Sequence, residues 1–410
     1  MSRAVTSRGV GRRGRKRGDT VLRLLGSLLL LIAAEAALAA TPAPRDVEIV
    51  APDGIVLKAT YFAAAQPGPA VLLLHMCNTN RSSWEPVGRQ LSEAGIHALT
   101  VDYRGFGESG GGRLDAQPPQ ERQKLIAEKW PGDVDAAFAY LLSQPGVDKT
   151  RIGTGGGSCG VAQALQVARR HPEVKSLVLL AGPADRAGRE FLRQTPWLPI
   201  FASAAADDQF DANAPQSMRW LIELSVNPRN RFVAFADGKH GTEIFGPHPE
   251  LPRQIVAWYV ETLVTAPADP KAAAMVRKTP VSEFWAVLDR PGGTSRAVAM
   301  FHEIRQRDPS AFLFPEGVMN QVAYERLQAG QLADAIALFE LNVEAYPASA
   351  NARDSLGDGY LADGKNELAL AAAEQCLHRL PADKGPEAFK DLIRQSAEQK
   401  IQKIKGAAAK

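Results

Sequence analysis

Between residues 46 and 263 the chain alternates short apolar runs with longer amphipathic stretches. Eight runs read as strands: VEIVAP, IVLKATYF, AVLLLH, HALTVD, RIGTGG, SLVLLAG, PIFASAA and RFVAFA. Several are almost unbroken Val, Leu and Ile, the pattern of parallel strands buried on both faces. Between them, EPVGRQLSEAG, PGDVDAAFAYLLSQP, VAQALQVARRHP and APQSMRWLIELSV carry apolar residues at helical spacing. APDG joins the first two strands, a tight-turn signal that predicts antiparallel pairing there. The later strands follow as β-α-β units, so this segment is expected to be an α/β domain with a mostly parallel sheet covered by helices. Past residue 263 the pattern changes. The segment 264–279, with TAPADPKAAA at its centre, is rich in Ala and Pro and reads as a linker. From residue 280 onward every periodic segment is helical. Gly330 matches Gly364, Ala335 matches Ala369 and Pro347 matches Pro381, each at an offset of 34. An all-α repeat domain is therefore expected over 280–385, followed by a basic helical tail, 386–410, that frays.

Composition changes this picture mainly at the N-terminus. The formal net charge of +3 misleads, because residues 1–39 hold eight of the 48 Lys and Arg but only two of the 45 acids. The body is left slightly acidic, with no electrostatic reason to seek nucleic acid. The leader itself runs from the basic GRRGRKRGD through the apolar LLGSLLLLIAA to EAALAATPAP, with small residues spaced A-x-A at Ala37 and Ala39. That layout predicts a secretory signal peptide over 1–39 and a periplasmic or secreted product, with membrane attachment only if the leader stays uncleaved. Three cysteines, Cys77, Cys159 and Cys376, are too few to build a disulfide scaffold.

The candidate chemistry centres on GGSCG, residues 156–160. It fits G-x-S-x-G with Ser158 in the middle, a strand before it and an amphipathic helix after it. A serine on so sharp a turn has strained backbone angles, and glycine at 156 and 160 removes side chains that would collide. A hydroxyl nucleophile needs a base, and the base an orienting acid, both expected later in the chain in the order Ser, Asp, His. His240, in VAFADGKHG, follows its strand directly between Gly238 and Gly241 and is the candidate base. FASAAADDQFD supplies the acid, with Asp208 preferred, Asp207 as the alternative and Asp211 as a turn or cap residue. Two backbone N–H groups should hold a developing oxyanion, one from Cys159 and one from Met76 or Cys77. If both point at one oxygen, Cys77 and Cys159 are neighbours, and in an oxidising compartment they are expected to form a disulfide.

Taken together, VLLLH, NRSSW, GIHALTVDYRGFGESGG, GGSCG, DD and GKHGTEIF resemble the α/β-hydrolase superfamily, within it most closely the bacterial dienelactone-hydrolase-like group. The D-x-R-G-x-G-x-S run from Asp102 to Ser109 is the most specific element of the resemblance, which covers residues 46–263. It implies a serine hydrolase for esters, lactones or related acyl compounds, with Ser158 as nucleophile, Asp208 or Asp207 as acid and His240 as base. Its implied substrate is a small acyl compound, and no cofactor or metal is implied. The family's usual His-Gly after the third strand is here His75-Met76, its usual His-Gly before the acid is Ser203-Ala204, and true dienelactone hydrolases carry cysteine where Ser158 stands. The C-terminal 34-residue period, with LGDGY and AIALF, resembles tetratricopeptide repeats, which implies a protein or peptide partner. Two other readings stand beside the esterase: a catalytically silent scaffold, and a peptidase for small peptides. Arg81, Trp84, Tyr103 and Trp130 are candidates to line a pocket or to serve as packing.

Overall fold

The computed structural model describes residues 40–211, 213–271, 278–383 and 387–408. The leader at 1–39 and residues 272–277 of the linker lie outside the described residues. Eight strands form one sheet in the order β1-β2-β4-β3-β5-β6-β7-β8. They are β1 (Arg45–Val50), β2 (Val56–Phe62), β3 (Gly68–Leu74), β4 (His97–Val101), β5 (Val147–Gly157), β6 (Val174–Leu180), β7 (Ile200–Ala205) and β8 (Arg231–Phe235). β1 and β2 pair antiparallel through the APDG turn, where Gly54 takes φ +87. β2 is also antiparallel to β4, and all later neighbours are parallel.

Helices cover both faces, and the period of two in the central strands decides what each face sees. Val71 and Leu73 of β3 point to one face, where they meet α1 (Glu85–Glu93) and α7 (Glu250–Tyr259). Leu72 and Leu74 point to the other. After the short α2 (Pro119–Lys124), that face is covered by α3 (Trp130–Ser143), α4 (Cys159–Arg170), α5 (Arg186–Gln194) and α6 (Ala214–Leu224). α7 runs so close to β5 that a methyl at Gly153 would lie 2.6 Å from the Tyr259 ring, which explains a glycine inside a buried strand.

The second half is helical throughout: α8 (Pro280–Leu288), α9 (Thr294–Arg307), α10 (Glu316–Gln328), α11 (Leu332–Ala345), α12 (Ala350–Ala362), α13 (Asn366–Arg379) and α14 (Glu387–Ala408). The pair α10–α11 and the pair α12–α13 begin 34 residues apart, and Gly330 and Gly364 turn each pair with φ of +74 and +73. The C-terminal helix does not fray as its composition suggested. Lys400 is buried against Asp354 and Asp358 at 2.8 and 2.9 Å, and Ile393 and Ala397 pack on α12 and α13. Nor does the linker separate two cores. Leu192, Trp220, Trp285, Phe301 and Phe339 belong to one apolar cluster, with the Trp220 and Trp285 rings 5.4 Å apart, and Thr41–Lys410 forms one compact unit. No helix among the described residues is long and apolar enough to cross a membrane.

Candidate active site

Ser158 stands alone between β5 and α4 with φ 52 and ψ −122, a conformation that costs an L residue energy and persists only where the surroundings enforce it. The enforcement is steric. A methyl at Gly156 would strike the Gly160 carbonyl, one at Gly160 would strike Leu74 O, and one at Gly182 would strike Ser158 O. Ser158 N donates to Leu180 O at 2.9 Å and its carbonyl receives Val161 N at 2.9 Å, so strand β6 and the first turn of α4 clamp the corner.

The loop after β8 brings His240 to the same end of the sheet. Leu180 O, bonded to Ser158, lies 3.6 Å from where a methyl on Gly241 would sit, and Thr242 Cγ2 lies 3.6 Å from the equivalent point on Gly157. Met76 fills the space between, its sulfur receiving Thr242 N at 3.3 Å. The Gly157–Ser158 and His240–Thr242 segments are thus adjacent loops packed on one methionine. Ser158 Oγ and His240 Nε2 make no direct hydrogen bond in the structure, and contacts of this kind commonly close only around the reacting group.

His240 is 6% exposed, and its Nδ1 lies 2.6 Å from Asp208 Oδ2. A carboxylate only accepts, so His240 Nδ1 is the donor in this bond. Asp208 Oδ1 receives the N–H of Phe210 at 2.8 Å and of Asp211 at 3.1 Å, which fixes the carboxylate plane. Asp207 points elsewhere and receives Lys239 N at 2.8 Å, tying the acid loop to the backbone just before the imidazole. Lys239 itself has φ 61. Asp211 is a turn residue, accepting Asn213 N at 2.8 Å. Phe210, an exposed apolar ring, meets the imidazole edge-on with centroids 4.7 Å apart.

Opposite the serine lies the loop after β3. Cys77 and Cys159 are joined in a disulfide with Cα atoms 5.8 Å apart. Among the described residues no acceptor pairs with the N–H of Met76, Cys77 or Cys159, whereas the Met76 carbonyl is occupied by His75 Nδ1 at 2.6 Å and Thr79 N at 3.2 Å. His75 is wholly buried. Its Nε2 receives Tyr103 N at 3.2 Å, so Nδ1 is the donor, and burial holds its pKa down to about 4. This histidine is a neutral strut for the loop. The D-x-R-G-x-G-x-S run proves to be a second support. Asp102 accepts Arg81 N at 2.7 Å and Glu108 N at 3.1 Å, Arg104 is clamped by Asp133 and Asp53, and a methyl at Gly107 would collide with the Asp102 carboxylate.

A serine on a strained strand-to-helix corner, at the carboxyl end of a mostly parallel sheet, has as its neighbour the last strand's loop, which carries a carboxylate-bound histidine. Residues 69–235 match the alpha/beta hydrolase fold. Among individual proteins, the chain is 34% identical over 164 residues to an uncharacterized protein of Mycobacterium tuberculosis, covering 39% of this chain and 52% of that one. It is 34% identical over 142 residues to the thiohydrolase apmlB of Arthrinium phaeospermum, covering 34% of this chain and 43% of that one. The chain thus spans about half, or less, of the length of these two relatives. The Pyrococcus furiosus esterase Pf2001 superposes with a TM-score of 0.43 at 18% identity, over 54% of this chain and 93% of that one.

Trp84, Tyr103 and Trp130 do not line the hydrolase-fold site. All three are buried; Trp130 stacks on Tyr103 at 4.3 Å and Trp84 Nε1 donates to Leu74 O at 2.9 Å. Arg81 faces a cavity of about 440 Å³ beside β2 and α1, away from Ser158. Among the described residues no group of His, Cys, Asp and Glu could hold a metal ion. Sequence reasoning missed Met76 as the packing piece between the two loops, Phe210 against the imidazole, and Gly182 under the serine. Only Gly182 left a signal, in the small residues of LLAGPAD.

Proposed function

We propose that this protein is an exported serine hydrolase that cleaves an ester, lactone or related acyl bond. The observation that carries the reading is the strained Ser158 corner packed against a loop whose imidazole is held by a buried carboxylate. His240 Nε2 takes the proton from Ser158 Oγ as that oxygen bonds to the acyl carbon. The carbonyl oxygen becomes an oxyanion held by the unpaired N–H groups of Cys159 and of Met76 or Cys77. Asp208 stabilises the imidazolium. The protonated His240 gives its proton to the leaving oxygen or sulfur as the tetrahedral carbon collapses to the acyl-serine. Water, losing its proton to His240, then attacks the acyl carbon; Ser158 leaves with that proton and the carboxylic acid is released.

Similarity to a thiohydrolase makes thioesters worth trying beside oxygen esters. The Cys77–Cys159 disulfide supports the exported reading, because such bonds persist in oxidising compartments. The 34-residue spacing of the two C-terminal helix pairs supports a second role, tetratricopeptide-type binding of a protein or peptide segment. The deciding experiment labels the full chain with a fluorophosphonate and assays p-nitrophenyl esters, thioesters and lactones. Labelling at Ser158 and a loss of ~10³–10⁶ in rate for Ser158→Ala are expected. Full activity in Ser158→Ala would overturn the proposal.

A further inference from the structure

Where the helical half packs on the sheet half, a cavity of about 140 Å³ opens between α5 and α10. Arg186, Arg189, Asp289, Glu325, Arg326 and Gln331 are among the residues that line it. Arg189 is only 2% exposed, yet among the described residues no carboxylate lies within ion-pair distance of it. Its one protein hydrogen bond runs from Nη1 to Ala184 O at 2.9 Å, and its guanidinium carbon sits 5.6 Å from the Trp285 ring centroid. The three nearby acids are engaged elsewhere: Asp289 pairs with Arg193, Glu325 with Arg186 at 3.8 Å, and Asp185 accepts Gly188 N at 2.7 Å. On the facing wall Arg326 donates Nη1 to Gln331 at 3.2 Å and Nη2 to Leu288 O at 3.3 Å, while its Nε meets no acceptor.

A buried guanidinium without a counterion is costly, and burial does push the pKa of Arg189 down. Nothing in the serine chemistry uses this residue. With Asp289 paired to Arg193 and Glu325 to Arg186, Arg189 and Arg326 have no carboxylate within ion-pair distance among the described residues, which leaves positive charge in the lining without a direct partner. A monoanion would balance it, and the planar fork of arginine pairs with a carboxylate through two parallel hydrogen bonds. We infer that this cavity binds the carboxylate of a small organic acid through Arg189 and Arg326, at the junction of the sheet and helical halves. Arg186, Asp289 and Gln331 are the exposed residues of the set and mark the entry side. The site is independent of the Ser158 reading, since its ligand and its residues are separate from that chemistry.

The test is calorimetric titration of the full chain with acetate, benzoate and inorganic phosphate at constant ionic strength, with thermal unfolding as a second readout. A saturable carboxylate isotherm and a rise in Tm are expected for the parent. Arg189→Met and Arg326→Gln should each weaken the binding by about tenfold or more. Should Arg189→Met fail to fold, Arg326→Gln carries the test, because that change leaves the Arg189–Trp285 contact in place. No saturable binding of either carboxylate, or equal binding in parent and variants, would overturn the inference. Phosphate binding more tightly than both carboxylates, with the same arginine dependence, would overturn the carboxylate assignment.

Discussion

The loops at the carboxyl ends of the strands and the turns of the helical repeats both rely on glycine, but for different reasons. Around Ser158, glycines at 156, 160 and 182 make room: any side chain there would meet backbone atoms. At Gly330 and Gly364 nothing lies within 4 Å of an added methyl, and only the left-handed backbone angle asks for glycine. Strain divides the same way. Among the described residues the three non-glycine positions with positive φ, Ser158, Ala181 and Lys239, all follow β5, β6 or β8, and none lies in the helical half. Local strain of this kind is stored where a site must be held in one geometry, while the turns of the helical pairs take their left-handed angle at glycine without strain.

Four perturbations test that contrast. Replacing both Cys77 and Cys159 with Ser opens a link across a sequence separation of 82 and should cost up to about 4 kcal/mol on loop-closure grounds. The proposed hydrolase activity should fall with it, because the loop after β3 loses its tether; unchanged urea midpoint and rate would remove the disulfide from the account. Gly160→Ala should cost about 3 kcal/mol and most of the activity, since the Leu74 carbonyl has no room to retreat. A variant as stable and active as the parent would show that the corner is not sterically enforced.

Acid probes the same region through His75. The unfolded chain protonates this residue near the ordinary 6.5, the folded chain only at about 4. Between those values the unfolded state binds more protons, so stability rises with pH and is lost progressively as pH falls through the window. The full loss is about 3 kcal/mol, read from urea midpoints across that range and absent in His75→Gln. The smallest effect belongs to the repeats. Gly330→Ala and Gly364→Ala should each cost about 1 kcal/mol, from backbone angle alone, and leave the proposed hydrolase activity unchanged. A larger loss at either turn would erase the distinction between glycine for space and glycine for angle.

Much of this was legible in the residue pattern. Alternation of apolar runs with helical stretches specified a mostly parallel sheet, because strands buried on both faces need unbroken Val, Leu and Ile. The glycines flanking Ser158 and those flanking His240 marked two tight loops. The choice between Asp207 and Asp208 was not legible: two identical neighbours differ only in which way the loop turns them, and the structure sends one to the imidazole and the other to Lys239 N. Met76 and Phe210 carry no spacing signal, since their role comes from contacts across 166 and 30 residues of chain. The Ala- and Pro-rich linker also misled. Composition reports where the apolar periodicity lapses, whereas the meeting of Trp220 with Trp285 is set by three-dimensional packing.

That tryptophan pair has a practical corollary. Anyone trimming the chain near residue 279 to obtain a minimal catalytic fragment would be cutting through a shared interior, and would leave the α6 indole facing solvent. The two halves are therefore a single inheritance: the repeats serve as the back wall of the hydrolase fold rather than as a detachable appendage.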